Sequence, residues 1–262
     1  SKGLNFNNSV NKIKNYLDTD KIENISILED MQITALLLFA GTMILSLWAS
    51  FRVKRVYRRY AEEESLSGLT GSEAARRILV EEGVTGVAIE SQPGELTDHY
   101  DPMHRRLVLS EANYHGRSIS ALAVSAHEAG HAIQHARAYM PLHLRMAAVG
   151  VTNIANQIVM WLPLIGLFTG LVSTSSAMYF MACGWGVIML FNLVTLPVEF
   201  DASHRAKLAL RSSGVVTSFT ESSGVDRVLN AAALTYVAAF ITSLAYFLWH
   251  LLPLLSGGRS RE

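Results

Sequence analysis

The sequence predicts a mainly α membrane protein, with about four transmembrane helices carrying a small α+β unit. Half of the 262 residues are apolar, and they gather into runs at about 31–51, 146–172, 176–197 and 230–255. Each run is close to the length that crosses a hydrocarbon core. Between the first two runs lies a charged stretch that carries helix signals and then strand signals. The 22 basic residues are balanced by 22 acidic ones, which excludes the basic surplus expected of a nucleic-acid binder.

Residues 1–30 differ in composition from the remainder. They hold six Asn, four Lys and no Arg, against five Asn, two Lys and sixteen Arg in residues 31–262. Residues 1–30 are therefore expected to be an expression scar or a polar N-terminal tail, and residues 31–262 the functional domain. "MQITALLLFAGTMILSLWASF" (31–51) is free of charge and forms the first expected span. "RVKRVYRRY" (52–60) follows with five basic side chains. Flanks this basic stay in the cytoplasm, which places 52–145 inside the cell.

Thr70 and Glu73 have capping-box spacing, so a helix is expected from Gly71 to about Glu82, stopping at Gly83. "GVAIES" (86–91) and "RRLVLS" (105–110) are expected strands, joined by the turn-rich "QPGELTDHYDP". "SISALAVSAHEAGHAIQHARAYM" (118–140) forms one helix whose Ala, Ser and Val content predicts burial on nearly every face. Asn153, Asn156 and Gln157 interrupt the second span and are expected to face the bundle interior. Cys183, the single cysteine, is given a small packing role in the third span. "VEFDASHRAKLALR" (198–211) is expected to continue that span as helix before the last span.

"HEAGH" (127–131) carries the chemistry. On a helix, His127 and His131 point the same way, about 40° and 6 Å apart, so both imidazoles can converge on one zinc ion. Glu128 projects beside them and can reach a water on the metal, taking its proton as general base. Gly130 costs a helix about 1 kcal/mol relative to Ala, which points to a close neighbour, either substrate backbone or another helix. A third ligand is needed. His135 lies about 12 Å along the axis from His127, too far for one coordination sphere, and is expected to be solvated. His99 and His204 compete for the place. Glu199 has the better claim, because two membrane crossings after HEAGH return the chain to the same side.

"LTDHYDP", "SAHEAGHAIQHA" and "LPVEFDASHRA", with the helix "GLTGSEAARRIL", resemble the YugP-like membrane zinc metallopeptidases. The resemblance covers essentially all of 31–262. It implies a bacterial membrane-embedded peptidase that holds Zn2+ through His127, His131 and Glu199. The motif order is also similar to that of the CAAX-prenyl and heat-shock membrane proteases, whose Glu opens an E-x-x-A-D stretch. Here the stretch is "EFDAS", with Ser203 in place of the Asp. Asp201 or Asp98 is left as the carboxylate that orients a ligand imidazole.

The expected function is peptide-bond hydrolysis by a zincin-like catalytic unit on the cytoplasmic side of the bacterial inner (plasma) membrane. A peptide or membrane protein is the substrate, and Tyr100, His99 and His204 are the groups that could face the oxyanion. "RRLVLS" is considered as the edge strand that aligns substrate, or as an ordinary structural hairpin. The alternative is a non-proteolytic zinc-containing membrane scaffold or partner-binding protein, for which a base at Glu128 would have no purpose.

Overall fold

The computed structural model describes residues 2–95 and 97–256, and the chain divides into two compact units, Ser1–Leu45 and Ser46–Glu262. The first unit is helical throughout its described length, as part of α1 (Lys2–Ala61). The polar stretch before residue 31 and the first apolar run thus belong to one helix.

The second unit contains the remaining elements. α2 (Gly71–Glu81) starts at the expected capping box, with Thr70 accepting from the Glu73 N–H and the Glu73 side chain accepting from the Thr70 N–H. Three strands follow, β1 (Ala88–Gln92), β2 (His99–Asp101) and β3 (Arg106–Ser110). β2 lies inside the stretch expected to be a connection. The strand order is β1-β3-β2, with β1 and β3 parallel and β2 antiparallel to β3. "RRLVLS" therefore forms the centre of the sheet, and the edge beside α4 belongs to β2. β3 takes the central place because Leu107, Val108 and Leu109 are all buried, as a strand covered on both faces requires.

After a single turn, α3 (Glu111–Tyr114), comes α4 (Ile119–Ala136), which carries HEAGH. Ser118 caps it by accepting from the Ala121 N–H. Ala121, Ala123, Ala126, Ala129 and Ala132 are fully buried, so α4 is the axis of the unit and not a surface helix. Around it the core gathers Ile78 and Leu79 of α2, Leu107 and Leu109 of β3, Leu210 of α6 and Leu229 of α7.

α5 (Met140–Thr169), α6 (Thr174–Ser212) and α7 (Phe219–Ser256) complete the fold. Among the described residues, four helical segments are long and apolar enough to cross a membrane: Glu29–Ala61, Met140–Gly166, Ser175–Ser212 and Phe219–Leu255. Three of them exceed the apolar runs in the sequence because the helix continues into polar flanks, and "VEFDASHRAKLALR" is the continuation of α6. The second is no longer than the expected 146–172 but lies six residues earlier, because α5 starts at Met140 and is capped at Gly170. Small residues let these helices approach. A Cβ on Gly184 would lie 2.7 Å from Val159, and one on Gly186 would lie 3.1 Å from Phe247.

Two expectations about side-chain placement are corrected. Asn153, Asn156 and Gln157 are exposed, because Thr152 and Ala155 occupy the inward side of α5. Cys183 is exposed as well, with its neighbours Ala182 and Gly184 taking the packed positions on α6.

Candidate metal centre

Two helices build the centre. α4 presents His127 and His131 one turn apart, and α6 brings Glu199 across to them. The helices can meet because of Gly130. A Cβ there would stand 2.5 Å from the carbonyl oxygen of Ala202, so the close neighbour implied by this glycine is the backbone of α6.

One ligand atom from each of His127, His131 and Glu199 lies within 4.8 Å of the others. Glu199 Oε2 is 3.2 Å from His127 Nε2 and 3.6 Å from His131 Nε2. Glu199 is 2% exposed and His131 8%, so these are groups withdrawn from water that need a partner. The other oxygen of Glu199, Oε1, accepts from Arg145 Nη1 at 2.9 Å. The carboxylate is thereby divided, with one oxygen fixed by a cation and the other turned to the imidazoles.

Each imidazole is oriented through its second nitrogen. His127 Nδ1 lies 3.2 Å from Ser203 Oγ. His131 Nδ1 lies 3.0 Å from Gln134 Oε1, and Gln134 Nε2 donates to Val198 O and to Asp201 Oδ2, both at 2.8 Å. Asp201 also accepts from Arg205 Nε at 2.6 Å. Asp201 therefore reaches His131 through Gln134. Ser203, where the related pattern has Asp, faces His127 directly.

Burial is the largest influence on His131 and disfavours its charged form. The hydrogen bond and charge of Glu199, with the charge of Glu128, outweigh it and raise the pKa. The site attracts a cation, either a proton or a metal ion that displaces one.

His131 and Glu199 open on a cavity of about 400 Å³ that is also lined by Glu128, Arg145, Tyr236, and Asp98 with His99 and Tyr100 of β2, among others. Glu128 is 8% exposed, and no hydrogen bond joins its side chain to a group among the described residues. His99 lines the cavity from an exposed position, with its Nδ1 on Thr97 O at 2.8 Å. Tyr100 lines it too, and its hydroxyl is 2.9 Å from His135 Nδ1. Burial raises the Tyr100 pKa, with Arg105 opposing and Asp101 adding. His135 is therefore half-buried and engaged, not solvated as its sequence position suggests. Asp98 is committed elsewhere, accepting from Ser110 N, Ser110 Oγ and Asn113 Nδ2. It ties β2 to β3 and α3. His204 is exposed on α6 and does not line the cavity. Its nearness to Glu199 in the sequence makes it a competitor, but its direction along the helix takes it outwards.

Sequence reasoning missed Arg145, Gln134 and Tyr236. Arg145 leaves one signal, as an isolated charge near the start of a membrane-length apolar helix. Gln134 leaves another, lying three residues after His131 on the same helix face.

No solved structure gives a significant match to the chain. A protein described as "Putative membrane protease YugP", from Bacillus subtilis (strain 168), is 44% identical over 218 residues, covering 81% of this chain and 93% of its own length. The model of the family described as "Putative neutral zinc metallopeptidase" matches residues 35–255, a range that holds the sheet, HEAGH and Glu199, and the chain belongs to that family.

Proposed function

We propose that the protein is an integral membrane zinc metalloendopeptidase in which His127, His131 and Glu199 hold the metal and Glu128 is the general base. One observation carries this reading: three ligand atoms converge within 4.8 Å, and the carboxylate next to His127 in sequence faces the same cavity. Two nitrogens and one oxygen suit zinc, and three protein ligands leave a position open, as hydrolytic sites do and structural sites do not.

Bound zinc would supply Lewis acidity towards a water molecule and the scissile carbonyl. Glu128 takes the proton of the attacking water as the new C–O bond forms. It then returns that proton to the leaving nitrogen as the C–N bond breaks. Arg145, Ser203 and Gln134 hold the ligands in register throughout. His99 and Tyr100 line the cavity and remain the groups placed to meet the developing oxyanion. Main-chain pairing of an extended substrate falls to β2, the edge strand at the cavity, and not to β3.

The location we propose is the bacterial inner (plasma) membrane, with the site on the cytoplasmic side. The five basic residues in 52–60 support that orientation. The reading is tested by metal content and by casein or peptide cleavage, with and without Glu128→Gln. Zinc near one per chain in both, with hydrolysis only in the parent, is expected. A zinc-loaded parent that cleaves nothing would favour the scaffold reading.

A further inference from the structure

α5 presents a face that the peptidase reading does not use. Met146 and Val149 line the catalytic cavity. Continuing along the same face at helical spacing come Asn153, Asn156, Gln157 and Met160, all exposed. Asn153 is the central residue of the membrane-length segment Met140–Gly166. No hydrogen bond joins the side chain of Asn153 or Asn156 to a group among the described residues. Gln157 uses only its oxygen there, which accepts from Trp161 Nε1 at 2.8 Å. Acyl chains offer such amides nothing, and polar groups at this depth are expensive unless something polar covers them.

We propose that this amide stripe receives the membrane-spanning segment of a polypeptide substrate and leads it to the cavity. The inference rests on the peptidase reading and names its substrate class. A helix cannot be hydrolysed until the chain around the scissile bond is extended. Extension frees main-chain N–H and C=O groups that hydrocarbon cannot satisfy. Asn and Gln each carry both donors and an acceptor, so they can satisfy either kind. From Met146 to Asn153 is about 10 Å along the axis, so the stripe starts at the cavity wall and runs to mid-membrane. Continuity with the cavity also selects the occupant. A second copy packed permanently on this face would lie across Met146 and Val149 and close that wall, whereas a substrate segment occupies it only while being processed.

The test uses the full chain carrying Glu128→Gln and Cys183→Ala, in phosphatidylcholine vesicles with lysine-flanked leucine–alanine peptides of one span. Each peptide has a Gly-Pro break at its centre, which frees main-chain groups there, and a single cysteine placed at a different depth in each, so that every protein position is read at its own best-matched depth. Met160→Cys lies on the stripe, and Ile154→Cys is equally lipid-exposed but on another face, at 63% exposure in the parent. Oxidation should join the peptide to the Met160→Cys protein several-fold more than to the Ile154→Cys protein. Adding Asn153→Leu and Asn156→Leu should lower the Met160→Cys yield roughly eightfold, because two of the stripe's three amides are then replaced by hydrocarbon. Equal yields at the two positions, or an unchanged yield after the leucine substitutions, would overturn the proposal. So would a chain-to-chain disulfide that dominates at Met160→Cys, since the occupant would then be a second copy. Glu128→Gln performs no hydrolysis, so these yields are independent of whether the zinc-loaded parent cleaves peptides. A parent without activity would count against the peptidase reading alone.

Discussion

Gly130 of α4 and Ala202 of α6 meet backbone to backbone, with room for hydrogen but not for a methyl group: a Cβ on Gly130 would lie 2.5 Å from the Ala202 carbonyl oxygen. Ala202 is within one turn of Glu199, and Gly130 lies between Glu128 and His131. The approach that joins the two helices therefore also sets the distance between Glu199 and the imidazoles of His127 and His131.

Gly130→Ala should accordingly be destabilising. Alanine would favour the helix by about 1 kcal/mol, but overpacking costs about 1–3 kcal/mol, and the obstructing atom is main chain that cannot swing aside. Lower thermal stability together with weaker zinc binding is expected. Gly150→Ala, where an added Cβ meets nothing within 4 Å, should show neither effect. Unchanged zinc affinity in Gly130→Ala would separate helix approach from metal geometry.

Glu128 and Glu199 should fail differently. If the proposed assignment holds, Glu199→Ala removes one of three ligands and leaves two imidazoles, too few for a stable zinc site, so most of the metal and all activity should go. Glu128→Gln should keep the metal and lose hydrolysis. His204→Ala should retain zinc, because the side chain points away from the cluster and is exposed. Full metal in Glu199→Ala, with loss in His99→Ala, would move the third ligand to β2.

Arg145 holds Glu199 Oε1 at 2.9 Å while Oε2 faces the imidazoles. Removing that restraint should free the carboxylate to rotate. Arg145→Ala should weaken zinc binding by about 10–100-fold, the usual cost of losing a group that orients a ligand. Arg145→Lys keeps the charge but not the guanidinium geometry and should fall between. Competition with a chelator of known affinity measures both.

What the sequence makes legible is local. The Thr70–Glu73 box and the i, i+4 histidines each depend on residues a turn apart, and each is found in the structure. Glu199 is reachable because counting membrane crossings is a one-dimensional argument. β2 is not legible, since three residues of "TDHYDP" become a strand only through pairing with β3. The partners of Glu199 and His131 are likewise fixed by how α4, α5 and α6 pack. The cost of amides in lipid would place Asn153, Asn156 and Gln157 inwards, yet the helix turns them outwards because the small Thr152 and Ala155 give α5 its closer packing.

His135 offers a test by pH. Burial chiefly, then the nearby charges of His143 and Arg105, lowers its pKa below the ordinary 6.5. A histidine depressed in the fold is neutral there while the unfolded chain takes up a proton. Its contribution is therefore complete above about pH 6.5 and is lost as pH falls through the folded value. The melting-temperature advantage of the parent over His135→Gln should shrink between about pH 6.5 and pH 5. A constant difference across that window would mean the imidazole does not titrate against folding.

Orientation in the membrane is the remaining prediction. With the basic flank inside, α1 runs from outside to inside, the sheet and α4 lie in the cytoplasm, and the α5–α6 connection is outside. The single cysteine makes this accessible, since Cys183→Ala leaves a chain without thiols. Met103 is 86% exposed and lies beside β2, so Met103→Cys should present a thiol without disturbing the core. Gly116 would be a poor choice, because a Cβ there would run into the Ala112 carbonyl oxygen. Ser175, exposed at the start of α6, reports the other side. A membrane-impermeant thiol reagent on intact cells should label Ser175→Cys and spare Met103→Cys, and permeabilisation should make both reactive. The reverse pattern would put the metal centre on the outer face and reverse the orientation proposed here, while leaving the ligand geometry of His127, His131 and Glu199 as it stands.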